Sequence, residues 1–295
     1  MVHQDSVRIL ASLLRAANEA RPILLLGAGA SFSSGVPLAA ESVRRIARRV
    51  FAEKVKGGAV LPEQVKLTEW QTWLQSLPWF VKGDDRLAEN FPLAVERLLQ
   101  PREYRARLLR DLFQPVNGIG AGYKHLAELV LKGLIRTILT CNFDTALPIA
   151  LNERRPHIPH IAEVNRNSDD LREFTIFNRA QIVWLHGKAE QYSDRNLAGE
   201  TEKLEHKLID LLVPMLTDSP LIVIGYRGAE PSIMDSLLGK NIKRTQNFKN
   251  GIYWCVLEGE PLHPNVETLR RAVGSNFRLL EISGFDELME ELRVN

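Results

Sequence analysis

The sequence predicts an α/β fold: a parallel sheet with helices on both faces and a helical insertion after the first strand. Three observations predict it. Short runs rich in Ile, Leu and Val recur along the chain and alternate with amphipathic stretches, the pattern of a sheet covered by helices. These runs are continuously apolar, as strands buried on both faces are. From about 51 to 117 the alternation stops, and only helical stretches remain, separated by Gly57-Gly58, Pro78, Gly83 and Pro92.

In chain order, a helix is expected over 5–20 and the first strand over 23–26, followed by a helix over 38–54. The insertion, about 51–118, carries Trp70, Trp73, Trp79 and Phe80. Large rings at such density make a small local core; a lid or a subunit contact is the alternative. A helix over 122–133 and a strand over 135–140 resume the alternation. The stretch 152–172, NERRPHIPHIAEVNRNSDDLR, is polar and turn-rich and reads as a loop. Strands are expected over 181–185, 221–224, 252–256 and 277–282, with helices over 200–216, 264–273 and 284–293. The whole chain, 1–295, then forms one domain whose sheet core covers about 20–50 and 120–290.

Composition narrows the function classes. An apolar fraction of 45% with 25% charged residues suits a globular chain with a core. A formal charge of +2 points to neither nucleic acid nor membrane surface as a partner. Two cysteines, Cys141 and Cys255, are too few for a disulfide framework or a four-cysteine zinc site. No signal-peptide pattern opens the chain, and no run reaches the ~20 apolar residues of a membrane span; a cytoplasmic location is expected. Arg44, Arg45, Arg48 and Arg49 fall at helical spacing, as a solvated face or a subunit contact. His157 and His160 lack a third ligand and are not read as a metal site.

Four stretches that end predicted strands carry candidate chemistry. The first is ILLLGAGASFSSGVP, 23–37. Glycines after a strand let the backbone turn sharply and approach a ligand, although many such loops need glycine for the turn alone. Gly27 and Gly29 are followed by Ser31, Ser34, Gly35 and Pro37; hydroxyls can donate to phosphate, and proline can open a helix. A Walker loop is excluded because no Gly-Lys-Ser/Thr follows, and the third glycine of GxGxxG is absent. The second stretch, TCNFD, places Asn142 and Asp144 where open α/β sheets bind ligands; the pair also reads as a helix cap. In WLHG, His186 stands where a general base would, or as a structural histidine. In LIVIGYRGAEPSI, Gly225 is followed by Tyr226 and by Arg227, which can reach a phosphate or simply face solvent. Loops at the carboxyl ends of different strands converge on one crevice.

In these stretches the chain resembles the sirtuin family. Sirtuins read Gly-Ala-Gly-x-Ser-x-x-Ser-Gly-Ile/Val-Pro, and 27–37 match that spacing at every position. Their Thr-Gln-Asn-Ile-Asp is echoed by Thr140, Cys141, Asn142, Phe143 and Asp144, and their Leu/Val-His-Gly by Leu185, His186 and Gly187, in the family's order. The departures are specific. Leu38-Ala39-Ala40 stands where sirtuin deacylases have Asp-Phe-Arg, and no cysteine lies between His186 and Gly225, where they carry two Cys-x-x-Cys pairs. Arg227 and Glu230 replace the Ser and Asp of the Gly-Tyr-Ser-x-x-Asp of bacterial sirtuin-like domains.

The resemblance implies a Rossmann-like fold with no zinc module, similar to the NAD-hydrolysing effector domains of bacterial anti-phage defence. It implies NAD as substrate and no metal. Gly27, Ala28, Gly29 and Ser31 would hold the pyrophosphate, and Ser34 and Pro37 would line the nicotinamide-ribose side. Phe143, through its backbone, and Asp144 would bind the carboxamide, while Gly225, Tyr226 and Arg227 complete the cofactor set. Asn142 would orient the ribose or the attacking water, and His186 would activate or orient that water. The leading expectation is an NAD glycohydrolase controlled by homo-oligomerisation or by a partner protein. A deacylase, an ADP-ribosyltransferase and a non-catalytic NAD-sensing assembly module are the alternatives.

Overall fold

Ile23–Leu26 is four consecutive apolar residues, all buried, and it forms the centre of the molecule for that reason. In a strand successive side chains point to opposite faces, so an unbroken apolar run needs a helical layer on each side. The computed structural model describes residues 2–16, 21–83, 86–154, 161–165, 170–175, 179–188 and 206–294. Numbered in chain order, its longer elements are α1 (Val2–Arg15), β1 (Ile23–Leu26), α2 (Ala39–Val50), α3 (Leu67–Gln75), α4 (Phe91–Leu98), α5 (Arg102–Leu112), α6 (Ala121–Leu131), β2 (Thr137–Thr140), α7 (Ala146–Asn152), β3 (Ile161–Asn165), β4 (Ala180–Trp184), α8 (His206–Asp218), β5 (Leu221–Ile224), β6 (Ile252–Leu257), α9 (Pro264–Val273), β7 (Phe277–Ile282) and α10 (Phe285–Val294).

The strands form one seven-stranded sheet in the order β3-β4-β2-β1-β5-β6-β7, and every pairing is parallel. Residues of each strand divide between two cores by parity. Leu24, Leu26, Ile138 and Ile224 pack with α1, α6, α7 and α10. Ile23, Leu25, Leu139 and Val223 pack with α8, α9 and a π-helical turn at Ser232–Leu238. The sheet is therefore Rossmann-like, with helices on both faces. No helix among the described residues is long and apolar enough to cross a membrane.

The structure corrects the reading in several places. The stretch expected as a loop, 152–172, contains β3, an edge strand paired only with β4. Its apolar residues Ile161, Ala162 and Val164 are interrupted by Glu163, whose carboxylate pairs with Lys188 just beyond β4, so the run carries one charge. His157 and His160 lie outside the described residues, as do 200–205 of the helix expected over 200–216. Pro37 does not open α2; it precedes the extended cap residue Leu38. α7 was not anticipated. Its Pro148 sits in the first turn, where a missing N–H costs little.

Between β1 and β2 a third core gathers Val43, Ile46 and Val50 of α2, Trp70 and Leu74 of α3, Ala94 and Val95 of α4, and Leu108 and Leu109 of α5. Carboxylates of the same unit bind three of its arginines. Arg45 meets Glu41 at 3.0 Å, and Arg49 meets Glu53 at 2.9 Å. Arg44 lies 3.6 Å from Glu41, while Arg48 donates to the Glu63 carbonyl. Glu53 also accepts from the Tyr104 hydroxyl at 2.6 Å, tying the π-helical turn Phe51–Val55 that follows α2 to α5.

Candidate functional site

β1 lies between β2 and β5, and the carboxyl ends of strands at such a point are where open α/β sheets bind their ligands. Four adjacent strands, β4, β2, β1 and β5, deliver to that edge His186, then Asn142 to Asp144, then 27–31, then Gly225 to Arg227.

The loops after β1 and β5 lie backbone against backbone. Gly29 N–H donates to the Gly225 carbonyl at 2.9 Å and Gly27 N–H to Ile224 at 3.0 Å. A Cβ on Gly27 would stand 2.5 Å from the Gly225 oxygen, and one on Gly225, whose φ is +66°, would stand 2.5 Å from the Ala30 nitrogen. These glycines are thus required by the packing of one loop on the other. Gly27 leads into a 3-10 turn, Ala28–Ser31, which aims the buried Ser31 side chain inward.

Ser31 is the hub of a buried hydrogen-bond network. Its hydroxyl donates to Asp144 Oδ2 at 2.7 Å and lies 2.7 Å from the Tyr123 hydroxyl. Asn142 Nδ2 donates to the Gly27 carbonyl at 3.0 Å and to Ser31 Oγ at 3.1 Å, with Tyr123 Oη at 3.4 Å. The Gly27 carbonyl can only accept, so it fixes which way the amide faces. Asn142 Oδ1 is buried without a hydrogen-bond partner. Asp144 Oδ1 accepts from the N–H of Ala146, the first residue of α7, at 2.9 Å, while the cap residue of that helix is Thr145. Burial pushes the Asp144 carboxyl above its usual range, opposed by the Ser31 and Ala146 bonds.

Phe143 turns the other way. Its ring stacks on Phe113 at 5.4 Å, lies 6.4 Å from Phe91, and stands 6.3 Å from the His186 ring. The end of β2 is thereby joined to α4 and to Phe113 at the end of α5. Phe113→Ala is expected to lower stability by about 3 kcal/mol, measurable by denaturant unfolding; an unchanged midpoint would show that the ring is not part of this core.

Beyond β5, Tyr226 is buried against Trp254, with ring centroids 5.8 Å apart. Glu230 follows, half-buried as a residue but with Oε2 sealed from solvent; burial raises its carboxyl, countered by Tyr226. Cys141 lies close enough for burial and the Glu230 charge to raise its thiol. Arg227 is exposed at the rim. It acts on His263, whose imidazole is pushed down by burial and then by the Arg227 charge.

Ser31, Asn142, Asp144 and Gly27 are thus in direct contact, with Gly29, Gly225 and Tyr226 beside them and Phe143 and His186 adjoining. Ala28 is half-buried in the same turn. Two more candidates follow in the same loop, with Ser34 N–H donating to the Ser31 carbonyl at 3.1 Å. The Ser34 hydroxyl accepts from Gly120 N–H at 3.0 Å, and the Pro37 carbonyl accepts from Ser42 at 3.4 Å. Sequence reasoning missed Tyr123, which sits on the buried stripe of α6 with Leu126 and Val130, a pattern identical to that of a core aromatic. Glu230, a departure from the motif in the sequence, belongs beside Tyr226 in the structure. No group of three or more His, Cys, Asp or Glu that could hold a metal is found among the described residues.

Residues 136–279 match the family model of the SIR2-like domain. Solved structures similar to the chain include one described as the structural basis for the mechanism and regulation of Sir2 enzymes (14% identity, 98% of this chain and 96% of that one, TM-score 0.48). Others are a mutant Sir2 homologue in complex with ADP ribose (13%, 97% and 96%, 0.46) and Sir2 bound to acetylated peptide (14%, 97% and 96%, 0.44). No curated relative matches. Over 136–279 the chain is therefore similar to the SIR2-like domain, with the loops after β2, β4 and β5 inside the matched span and the loop after β1 outside it.

Proposed function

We propose that the chain binds NAD in the crevice beyond β4, β2, β1 and β5 and cleaves it to nicotinamide and ADP-ribose. The observation that carries this reading is the Asn142 amide. Its nitrogen is held by protein acceptors, and its oxygen remains as a buried acceptor with no protein donor. Such an atom costs free energy unless a ligand hydroxyl or a water satisfies it, and the ribose of NAD or an attacking water fits that need.

NAD supplies its own leaving group, since the cationic nicotinamide departs without a general acid through an oxocarbenium-like transition state. The chain's residues then have to position the ribose and admit a single nucleophile. Asn142 Oδ1 accepts from the ribose hydroxyl or the water. His186, at the end of β4, takes or orients the proton of that water. Asp144 keeps lone pairs free for the carboxamide N–H groups, beside the Phe143 backbone. Gly27, Ala28, Gly29 and Ser31 border the pyrophosphate, Tyr226 lies beside Gly27, and Arg227 at the rim reaches a phosphate.

Hydrolysis is favoured over deacylation by two features: Leu38-Ala39-Ala40 after the glycine loop, and the lack of cysteine between His186 and Gly225. On the same resemblance we assign the chain to NAD depletion in bacterial anti-phage defence, in the cytoplasm, held in check by assembly with itself or a partner. NAD loss measured with and without an acyl-lysine peptide, together with protein-bound label from radioactive NAD, separates the readings. Peptide-independent loss without bound label supports hydrolysis. Loss only with peptide means deacylation, and bound label means ADP-ribosyl transfer.

Asp144 yields a pH prediction. A group whose pKa is raised by folding contributes stability that is fully present below its unfolded pKa and is lost as pH rises through the folded value. Burial raises Asp144 in this way. Asp144→Asn has no such loss, so its Tm relative to the parent should increase from about pH 4 to about pH 7, while NAD cleavage falls. A Tm difference that is flat with pH would contradict the buried carboxyl.

A further inference from the structure

We propose that Tyr123, on α6 and outside every motif of the site, is the positioning residue that fixes the Asn142 amide, acting through Ser31. The proposal rests on the reading of Asn142 as the group that meets the ligand. Tyr123 is 1% exposed, and its hydroxyl lies 2.7 Å from Ser31 Oγ and 3.4 Å from Asn142 Nδ2, so its influence on the amide passes through these contacts.

Proton accounting shows what it does. Ser31 has one hydroxyl proton, which goes to Asp144 Oδ2 when that carboxyl is ionised. Ser31 Oγ can then only accept, from Asn142 Nδ2 at 3.1 Å and from Tyr123 at 2.7 Å. When Asp144 is protonated, its proton points at Ser31, and the Ser31 proton needs another acceptor. With Tyr123 Oη in place that acceptor exists, and Ser31 still offers a lone pair to Asn142. Without the Tyr123 hydroxyl, the Ser31 proton has only the Asn142 amide nitrogen to face, one of whose N–H groups already points at Ser31 Oγ, and the amide is driven to turn over. Tyr123 therefore makes the Asn142 orientation independent of the protonation of Asp144.

The position of Tyr123 is itself secured. Its ring meets Phe285 of α10 edge-on at 5.1 Å, and Asp286 accepts from Gly122 N–H at 2.9 Å and from Ser33 at 3.1 Å. One residue of α10 thus holds both the start of α6 and the glycine loop. Burial keeps the phenol well above its usual range, so it stays a neutral donor and acceptor. The titratable groups that face Asp144 from neighbouring elements are Tyr123 on α6 and Cys141 at the end of β2, each influenced by the Asp144 charge.

The test is Tyr123→Phe, which keeps the ring on Phe285 and removes only the hydroxyl. Two readouts are followed between about pH 5 and pH 8: hydrogen exchange of the Asn142 side-chain amide by NMR, and NAD cleavage. The expected result is faster amide exchange and a kcat lowered roughly 10–100-fold with little change in KM, both effects deepening as pH falls. The double variant Tyr123→Phe/Ser31→Ala should be no slower than Ser31→Ala alone. Unchanged Asn142 exchange would overturn the proposal whatever the catalytic rate, and so would multiplicative losses in the double variant. If the parent protein fails to cleave NAD, the functional reading falls, while amide exchange still decides the role of Tyr123.

Discussion

Asn142→Ala is expected to reduce NAD cleavage by about 10²–10³-fold, the range seen when one preorganised polar group is removed from a reacting centre. Two consequences follow from the same deletion. The acceptor that would meet the ribose or the water disappears, and the Gly27 carbonyl and Ser31 Oγ lose their donor. Leaving buried acceptors unpaired costs about 1–3 kcal/mol, so a fall in Tm accompanies the loss of activity. Asn142→Asp should be no better despite its equal size. It presents oxygen to Gly27 O, Ser31 Oγ and Tyr123 Oη, and it places a second carboxylate near Asp144. Turnover and thermal unfolding of both variants check this. An alanine variant with parental turnover would remove Asn142 from the chemistry.

Gly225→Ala is expected to have the largest structural effect. Its φ of +66° is a conformation that L side chains rarely adopt, and the added Cβ would lie 2.5 Å from the Ala30 nitrogen and 2.9 Å from the Gly29 carbonyl carbon. Both obstacles are backbone, so neither can swing aside. Left-handed strain and overpacking each cost about 1–3 kcal/mol, and relief would require the glycine loop to part from the loop after β5. Tm should fall by roughly 5–15 °C, and ADP-ribose binding should weaken because the turn that places Ser31 shifts. Gly187→Ala is the control. Gly187 also has a positive φ, +85°, but its Cβ would meet nothing within 4 Å, so only the backbone strain remains. Equal Tm losses in the two variants would contradict the close packing of the loops.

Much of the sheet was legible because the central strands are unbroken apolar runs with sharp ends. β1 and β5 begin and stop where the apolar residues do, at Leu26 before Gly27 and at Ile224 before Gly225. β3 was not legible. An edge strand has one neighbour and tolerates a charge, and Glu163 in its middle satisfies that charge with Lys188, a partner from another strand's loop. The motif residues could be found because each directly follows a strand. What joins them could not. The bonds from Ser31 to Tyr123 and to Asp144 span 92 and 113 positions, and nothing local to Tyr123 distinguishes it from a core aromatic. Nor did the spacing of Phe113 and Phe143 foretell that they stack, since only the return of the helical unit onto the end of β2 brings them together.

The central claim is that this crevice cleaves the bond between nicotinamide and ribose with water as the acceptor. The most direct measurement incubates the purified protein with NAD and no peptide and quantifies nicotinamide and ADP-ribose over time, with Asn142→Ala and His186→Ala alongside. Release of the two products in equal amounts, lost in both variants, is the predicted result. NAD that binds and is recovered intact, or nicotinamide released without matching ADP-ribose, would contradict it.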